Sequence, residues 1–145
     1  MNDVNAIKPP AWFWVVAILA LIWELLGVAS YLYHVTLSAD ALQALPEGQR
    51  RVMEITPAWV NAAFAIATWG GLLGALGLVL RRKWARPLLL VSVLAIVVQF
   101  GWVFLVGKAT ELIGPSAVGL PAFIFAFGLF LLWFAGLATR RGWLR

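Results

Sequence analysis

Three polar residues lie deep inside otherwise apolar stretches of this chain, and theirs are the side chains that could do chemistry. Glu24 lies in LALIWELLGVAS, Thr68 in AFAIATWGGLL and Gln99 in VLAIVVQFGW. A carboxyl in apolar surroundings can exchange a proton or pair with a cation, and hydroxyl and amide groups can hydrogen-bond a solute. These residue types predict a site that binds or moves a small solute.

The position of Glu24 has two interpretations, and the sequence leaves both open. In the functional one, Glu24 is a protonatable carboxyl that exchanges protons or a cationic ligand. In the structural one, it is a permanently neutral acid whose hydrogen bonds to Gln99 or Thr68 hold helices together. A cavity that reaches Glu24 favours the first interpretation, and a sealed hydrogen-bonded carboxyl favours the second.

The composition places these residues in a membrane protein. Of the 145 residues, 63% are hydrophobic and 12% are charged, and the mean hydropathy is +0.94. A soluble domain is about a quarter charged.

Four apolar segments exceed the length of about 20 helical residues that a hydrocarbon core requires, and they are residues 11–35, 58–80, 86–107 and 117–138. The first segment is too long for the apolar region of a signal peptide, about 7–15 residues. The sequence predicts one all-α domain, residues 1–145, folded as a polytopic four-transmembrane-helix bundle.

Basic residues next to the spans predict the orientation. They cluster in the 81–86 turn and at the C-terminus, as Arg81, Arg82, Lys83, Arg86, Arg140, Arg141 and Arg145. The positive-inside rule then predicts that both termini and this turn lie on the cytoplasmic side of a bacterial inner membrane. We interpret the Arg81-Arg82-Lys83 run as a topology signal. The 36–57 connection lies outside and is predicted to carry a short surface helix capped by Ser38.

Depth along the helices predicts which polar residues meet. At a rise of about 1.5 Å per residue, Glu24, Thr68 and Gln99 lie roughly 18–20 Å from the cytoplasmic ends of their spans. A second layer, roughly 27–30 Å up, contains Asn61, Tyr31, Trp102 and Ser30, with His34 just beyond it. The predicted substrate or proton pathway therefore consists of Glu24, Thr68, Gln99, Asn61, Tyr31 and Trp102.

Small residues in the second span predict close helix packing. Gly70, Gly74 and Gly77 recur on one face with small-xxx-small spacing, which lets neighbouring backbones approach closely. The segment from Pro121 to Gly136 in the fourth span has no polar side chain. We expect that span to pack against other helices or to face lipid.

Several classes of function are not expected from this composition. The chain has no cysteine and one histidine, so we expect no metal site and no cofactor. It has neither a pair of acids at one depth nor a phosphate-binding loop, so we do not expect an enzyme. The net charge of +5 follows from the topology signals, and we expect no nucleic acid among the partners. The expected partners are the lipid bilayer and either further copies of this chain or another membrane protein, because four spans form a thin wall around a pathway.

Three segments, in this order and spacing, resemble a group of small bacterial four-span inner-membrane proteins. They are PAWFWVVAILALIWELLGV, TPAWVNAAFAIATWGGLLGALGLVLRRKWARP and VVQFGW. Members of that group often carry the automatic label "sugar transporter" without an identified substrate. The resemblance covers most of the chain, lies in hydrophobic pattern and aromatic placement, and implies the four-span topology.

The chain is also similar in outline to the small multidrug resistance exporters. These have four short spans and one membrane-embedded acid in the first helix, which exchanges protons for cations across an antiparallel dimer. Glu24 is the matching position. The present chain departs from them in its longer outer connection and in its strong positive-inside bias, which argues against insertion in both orientations.

The sequence therefore predicts a transporter or binding protein for a small solute, proton-coupled through Glu24. The alternative is a non-transporting accessory or structural subunit of a larger membrane complex. In that case the glycine stripe and the Phe-rich fourth span would be protein interfaces, and Glu24 would join helices.

Overall fold

The computed structural model describes residues 7–145. Seven α-helices and one short 3-10 helix form the regular structure of this part of the chain. They are α1 (Ala11–Val35), α2 (Ala39–Gln43), α3 (Glu47–Ile55), α4 (Ala58–Val79), α5 (Ala85–Leu105), α6 (Ala109–Ile113), the 3-10 helix (Pro115–Val118) and α7 (Gly119–Arg140).

Four helical segments are long and apolar enough to cross a membrane. They are α1, α4, α5 and the stretch Pro115–Arg140, which joins the 3-10 helix to α7. Residues 7–145 contain no strand. The prediction of an all-α, multi-pass four-helix bundle is confirmed, and no predicted span differs from its helix by more than two residues at either end.

Prolines and a left-handed residue set where the long helices begin and end. Pro10 and Pro57 precede α1 and α4 in extended conformations. Because proline has a fixed φ and no N–H to donate, it fits at the edge of a first helical turn. Arg81, just after α4, has a φ of 58°, and this left-handed residue helps the chain to reverse into α5.

The long helices are arranged as a ring in the order α1, α4, α5 and α7. Neighbouring backbones approach closely between α1 and α4, between α4 and α5, and between α5 and α7. The ring is closed between α7 and α1 by aromatic side chains. Trp23 of α1 contacts Phe123 and Phe127 of α7, with ring centroids 5.2 and 5.5 Å apart. Nearer the chain termini, the rings of Phe13 and Phe134 stack at 5.5 Å.

The half of the bundle that contains the chain termini is densely packed, and we call it the sealed half. Phe13, Leu78, Leu131 and Phe134 have no exposed surface there or almost none. All four long helices and the C-terminal residues contribute to its core, which consists of Phe13, Ala17, Ala20, Ala75, Leu78, Ala85, Leu89, Leu131, Phe134, Ala135, Ala138, Trp143 and Leu144. Interlocked aromatic and small side chains close this half of the ring.

Arg81 connects the two ends of the chain to the α4–α5 turn by hydrogen bonds. The sequence predicted it only as part of a topology signal. Its guanidinium donates hydrogen bonds to the carbonyl oxygens of Trp143 and Ile7, both at 2.9 Å. Main-chain hydrogen bonds join Lys83 to Arg145 and Arg145 to Arg81 at 2.9 and 2.8 Å. The sequence did not predict this role, because its partners are carbonyl groups more than sixty positions away.

The connections at the opposite end fold into short helices that contact each other. Residues 36–57 contain the short helix predicted to begin at Ser38, but they also contain a second one, because Pro46 divides the segment into α2 and α3. Ser38 caps α2, accepting a hydrogen bond from the Ala41 N–H at 3.1 Å. Gly48 of α3 lies directly on the backbone of Leu112 in α6. The two connections are therefore fastened to one another at the end of the bundle away from the termini.

Candidate functional site

A cavity of about 240 Å³ lies between the four long helices on the other side of the sealed core. We call the part of the bundle around it the hollow half. Glu24, Thr68 and Gln99 all line this cavity. Three helices therefore bring to one space the three residues that the sequence placed at one depth.

Glu24 reaches the cavity from α1 and its carboxyl lies over Gly71 of α4. A methyl group on Gly71 would overlap that carboxyl, so an alanine at this point would displace the carboxyl from its present position. Within residues 7–145 the carboxyl has neither a hydrogen-bond partner nor an ion-pair partner. The sequence reasoning missed Gly71 as a site residue, although Gly71 follows Thr68 by one helical turn and so shares its face.

Gln99 is 8% exposed and lines the cavity from α5. Its amide forms no hydrogen bond with any residue of the described chain. No inaccessible side-chain N or O atom of residues 7–145 lacks a hydrogen-bond partner, so the unpaired amide atoms of Gln99 are open to a probe the size of water. Gln99 therefore offers one donor group and one acceptor group to whatever occupies the cavity.

Two of the three hydroxyl groups that line the cavity, those of Thr68 and Ser92, are already hydrogen-bonded, and the third is that of the exposed Ser30. Thr68 donates to the carbonyl oxygens of Phe64 and Ala65 in its own helix, at 3.0 and 3.2 Å. Ser92 donates across the α4–α5 contact to the carbonyl oxygen of Ala67 at 2.6 Å. Neither hydroxyl is bonded to Glu24. The direct hydrogen bonds from Glu24 to Gln99 or Thr68, on which the structural interpretation depends, are not formed.

The rest of the lining is apolar, and none of it is basic. The polar members of the lining are Glu24, Ser30, Thr68, Ser92 and Gln99. No Lys, Arg or His side chain of residues 7–145 lines the cavity. The charge of an ionised Glu24 would therefore be uncompensated by the lining, and a proton or a cationic ligand would have to neutralise it.

Of the predicted second layer, Ser30 lines this cavity, and Asn61, Tyr31 and Trp102 do not. The Asn61 side-chain oxygen lies 3.2 Å from His34 Nε2, so that local pair engages it. The ring of Tyr31 packs on Phe64 at a centroid distance of 5.4 Å. The helical rise predicts how far along its helix each residue lies, but it does not predict the direction in which the side chain points.

Trp102, the third member of that layer, is also outside the cavity. Its carbonyl oxygen accepts hydrogen bonds from the N–H groups of Val106 and Gly107 at the end of α5. Its ring lies beside Gly107, where an added Cβ would be 2.9 Å from it. The cavity thus contains three of the six predicted pathway residues, Glu24, Thr68 and Gln99.

The predicted packing glycines lie along the α4–α5 contact. A Cβ on Gly74 would approach Leu89 to 2.6 Å, and a Cβ on Gly77 would approach that of Ala85 to 2.8 Å. At Gly70 the nearest atoms, in Leu88 and Ser92, would be 3.6 Å away, an ordinary van der Waals distance. Close approach therefore requires glycine at Gly74 and Gly77, and not at Gly70.

No group of three or more His, Asp or Glu residues within residues 7–145 could hold a metal ion. Comparison of the chain with protein-family models, with curated proteins and with solved structures found no match. The resemblance to small bacterial four-span proteins stays a prediction.

Proposed function

We propose that this membrane protein binds a small solute in the cavity of the hollow half and carries it across the membrane, with Glu24 as the charged centre. One observation supports this above the others. Glu24 and Gln99 face the same cavity, and neither is hydrogen-bonded to the rest of residues 7–145. Side chains that only hold helices together would be bonded to one another.

Proton exchange is the coupling that suits this site. A lone ionised carboxyl in low dielectric is costly, so Glu24 is best satisfied by a proton when the site is empty. A cationic solute replaces that proton one charge for one charge, and the proton returns when the solute leaves.

Because a single chain supplies every wall of the cavity, solute binding itself requires no second copy. In this proposal, a homo-oligomer or a partner protein assists the movement of the solute from one face of the membrane to the other.

The basic residues support an orientation for this transport. Arg81, Arg82, Lys83 and the arginines after residue 139 flank the sealed half. The positive-inside rule assigns that half to the cytoplasmic side, in keeping with a bacterial inner membrane. The hollow half then faces outwards, and the structure corresponds to a state that is closed on the cytoplasmic side.

Reconstituted vesicles test the proposal. The purified chain is placed in liposomes, and uptake of labelled solutes from three classes, amines, alcohols and sugars, is followed under an imposed pH gradient. We expect at least one class to be taken up faster than by protein-free liposomes, with proton movement in step. Glu24→Gln should abolish the proton-coupled part, because the amide cannot exchange a proton.

Glu111→Gln is the matched control. Glu111 is an exposed acid in α6, 4.0 Å from Lys108, and does not line the cavity. Its substitution makes the same chemical change and should leave uptake unaltered. If no solute of any class is bound or taken up above background, the chain is not a transporter, and the accessory-subunit interpretation replaces this one.

A further inference from the structure

The cavity opens sideways between α1 and α7. Of all the residues that line it, three are exposed, and they are Leu26 and Ser30 of α1 and Leu120 of α7. Every lining residue of α4 and α5 is buried or half-buried. An opening must be edged by exposed residues, so its edges are these two helices.

Aromatic contacts mark the inner edge of this opening. Trp23 of α1 bridges to Phe123 and Phe127 of α7 and closes the gap at the level of Glu24. Leu26 lies roughly 22 Å along α1 from its first residue, at about 1.5 Å per residue. That is within a hydrocarbon core of about 30 Å. The opening therefore begins inside the membrane and extends towards the ends of α1 and α7 that are remote from the chain termini.

The end connections contribute nothing to the lining. No residue of α2, α3 or α6 lines the cavity, and α3 is fastened to α6 through Gly48 and Leu112. A solute dissolved in the membrane would meet the side opening.

The free polar groups of the cavity limit what can bind. Deep inside it, the carboxyl of Glu24 and the amide of Gln99 have no hydrogen-bond partner among residues 7–145, and the hydroxyl of Ser30 has none at the exposed edge. The remaining lining is apolar or already bonded. A solute with one polar group is satisfied there. A solute with a ring of hydroxyls leaves most of them unpaired, and each unpaired hydroxyl lowers affinity by about tenfold.

Volume sets the size of the solute. A cavity of roughly 150 Å³ holds benzene. On that scale a volume of about 240 Å³ accommodates about ten non-hydrogen atoms. An aromatic or short aliphatic body with one headgroup fills this space.

We propose that the solute is a small amphipathic molecule, with an apolar body and one hydrogen-bond-donating headgroup, that enters the Glu24 cavity from the lipid through the opening between α1 and α7. This inference rests on the proposed function and specifies its substrate class and route. The headgroup meets Glu24 and Gln99, and the body lies against Val93, Ile96 and Ile124, which also line the cavity. Sugars are excluded, in contrast to the label carried by the group that the sequence resembles.

Binding to the full chain in nanodiscs tests the substrate class. The probes are phenethylamine, phenethyl alcohol and glucose, measured by equilibrium dialysis. We expect both phenethyl compounds to bind at least about tenfold more tightly than glucose, and Gln99→Ala to weaken both. If glucose binds in a Glu24-dependent manner, this inference fails and the proposed function stands. If none of the three compounds binds, both fail.

Exchange kinetics test the route. Fluorine NMR measures how fast para-fluorophenethylamine moves between its free and bound states. Leu26→Trp narrows the opening and should slow exchange severalfold. Leu25→Trp, on a neighbouring residue that is 51% exposed and lines no part of the cavity, should not. Equal exchange rates in the two variants would overturn the lateral route, and a circular dichroism spectrum of each variant establishes that both have folded.

Discussion

The sealed half and the hollow half of this bundle are built from the same four helices, yet they differ in what fills the space between them. In the sealed half, Phe13 and Phe134 stack face to face, and alanines fit around them with no exposed surface. In the hollow half, the same ring of helices surrounds a cavity containing an unpaired acid and an unpaired amide. Close packing and open space therefore lie at different depths of one fold.

Side-chain volume explains the difference. In the sealed half, the rings of Phe13 and Phe134 pack on each other and on Trp143 and Trp12, and alanines belong to the same buried cluster. Around Glu24 the lining includes Gly27, Ala67 and Gly128, and its three aromatic residues leave a cavity of about 240 Å³ between them. Polar residues in a membrane interior are expensive unless they are paired. The presence of Glu24 and Gln99 in the hollow half is consistent with a ligand that forms hydrogen bonds with them.

The largest loss of stability is expected for a phenylalanine of the sealed half. Phe134→Ala removes a ring with no exposed surface and leaves a void of roughly 100 Å³, which at about 24 cal/mol per Å³ costs about 2 kcal/mol of unfolding free energy. Phe100→Ala removes a half-buried ring that already borders open space, so fewer contacts are lost, and we expect a smaller loss of about 1 kcal/mol. Unfolding in mixed micelles, followed by circular dichroism, measures both. Equal losses would remove the distinction between the halves.

Two glycines of α4 should respond differently to the same methyl group. Gly77→Ala presses on the Ala85 Cβ and Cα, at 2.8 and 3.0 Å, and should cost about 1–2 kcal/mol of stability because two backbones must separate. Gly71→Ala displaces only the mobile end of Glu24. Its stability should change by less than about 0.5 kcal/mol, while amine binding falls about tenfold. If Gly71→Ala leaves binding intact, the carboxyl does not depend on that position.

Two neighbouring arginines test how the sealed half is fastened at the chain ends. Arg81→Ala removes the hydrogen bonds to Trp143 and Ile7 and should cost about 1.5 kcal/mol. Arg82, which is exposed and makes no side-chain hydrogen bond within residues 7–145, should tolerate the same change within about 0.5 kcal/mol. Thermal unfolding in detergent distinguishes these outcomes. Similar effects of the two changes would mean that charge, and not geometry, matters at this end.

The smallest effect concerns the hydroxyl that joins α4 to α5 in the hollow half. Ser92→Ala removes the interhelical bond to Ala67, and bonds of this kind average about 0.6 kcal/mol in membranes. Thr139→Ala removes a bond to Ala135 within one helix of the sealed half, with an expected cost near zero. Chemical unfolding of the two variants side by side compares them. A larger loss at Thr139 would contradict this assignment.

Much of the architecture could be predicted because it depends on quantities that are local in sequence. Apolar length gave the four spans to within two residues, and the constant rise of a helix brought Glu24, Thr68 and Gln99 to one cavity. The direction in which a side chain turns depends on its neighbours on other helices. Tyr31 and Asn61 are therefore turned towards Phe64 and His34, which depth alone could not show.

Other features depend on contacts that no pattern in the sequence reveals. Arg81 bonds to carbonyl groups, which every residue possesses, so nothing in the sequence identifies its partners. Gly71 is recognisable as a small residue on the correct face. Its particular role, leaving room for a carboxyl, becomes visible only once α1 has been positioned against α4.

One measurement tests the contrast between the two halves most directly. The chain has no cysteine of its own, so single cysteines can be introduced in place of Gln99, which is 8% exposed, and Ala135, which has no exposed surface. Both are treated in nanodiscs with methyl methanethiosulfonate, a small neutral thiol reagent, and the adducts are followed by mass spectrometry. We expect Gln99→Cys to react at least about tenfold faster than Ala135→Cys, because the reagent can enter the hollow half only. Equal protection of both thiols would contradict an accessible cavity at Glu24, and with it the account of binding given above.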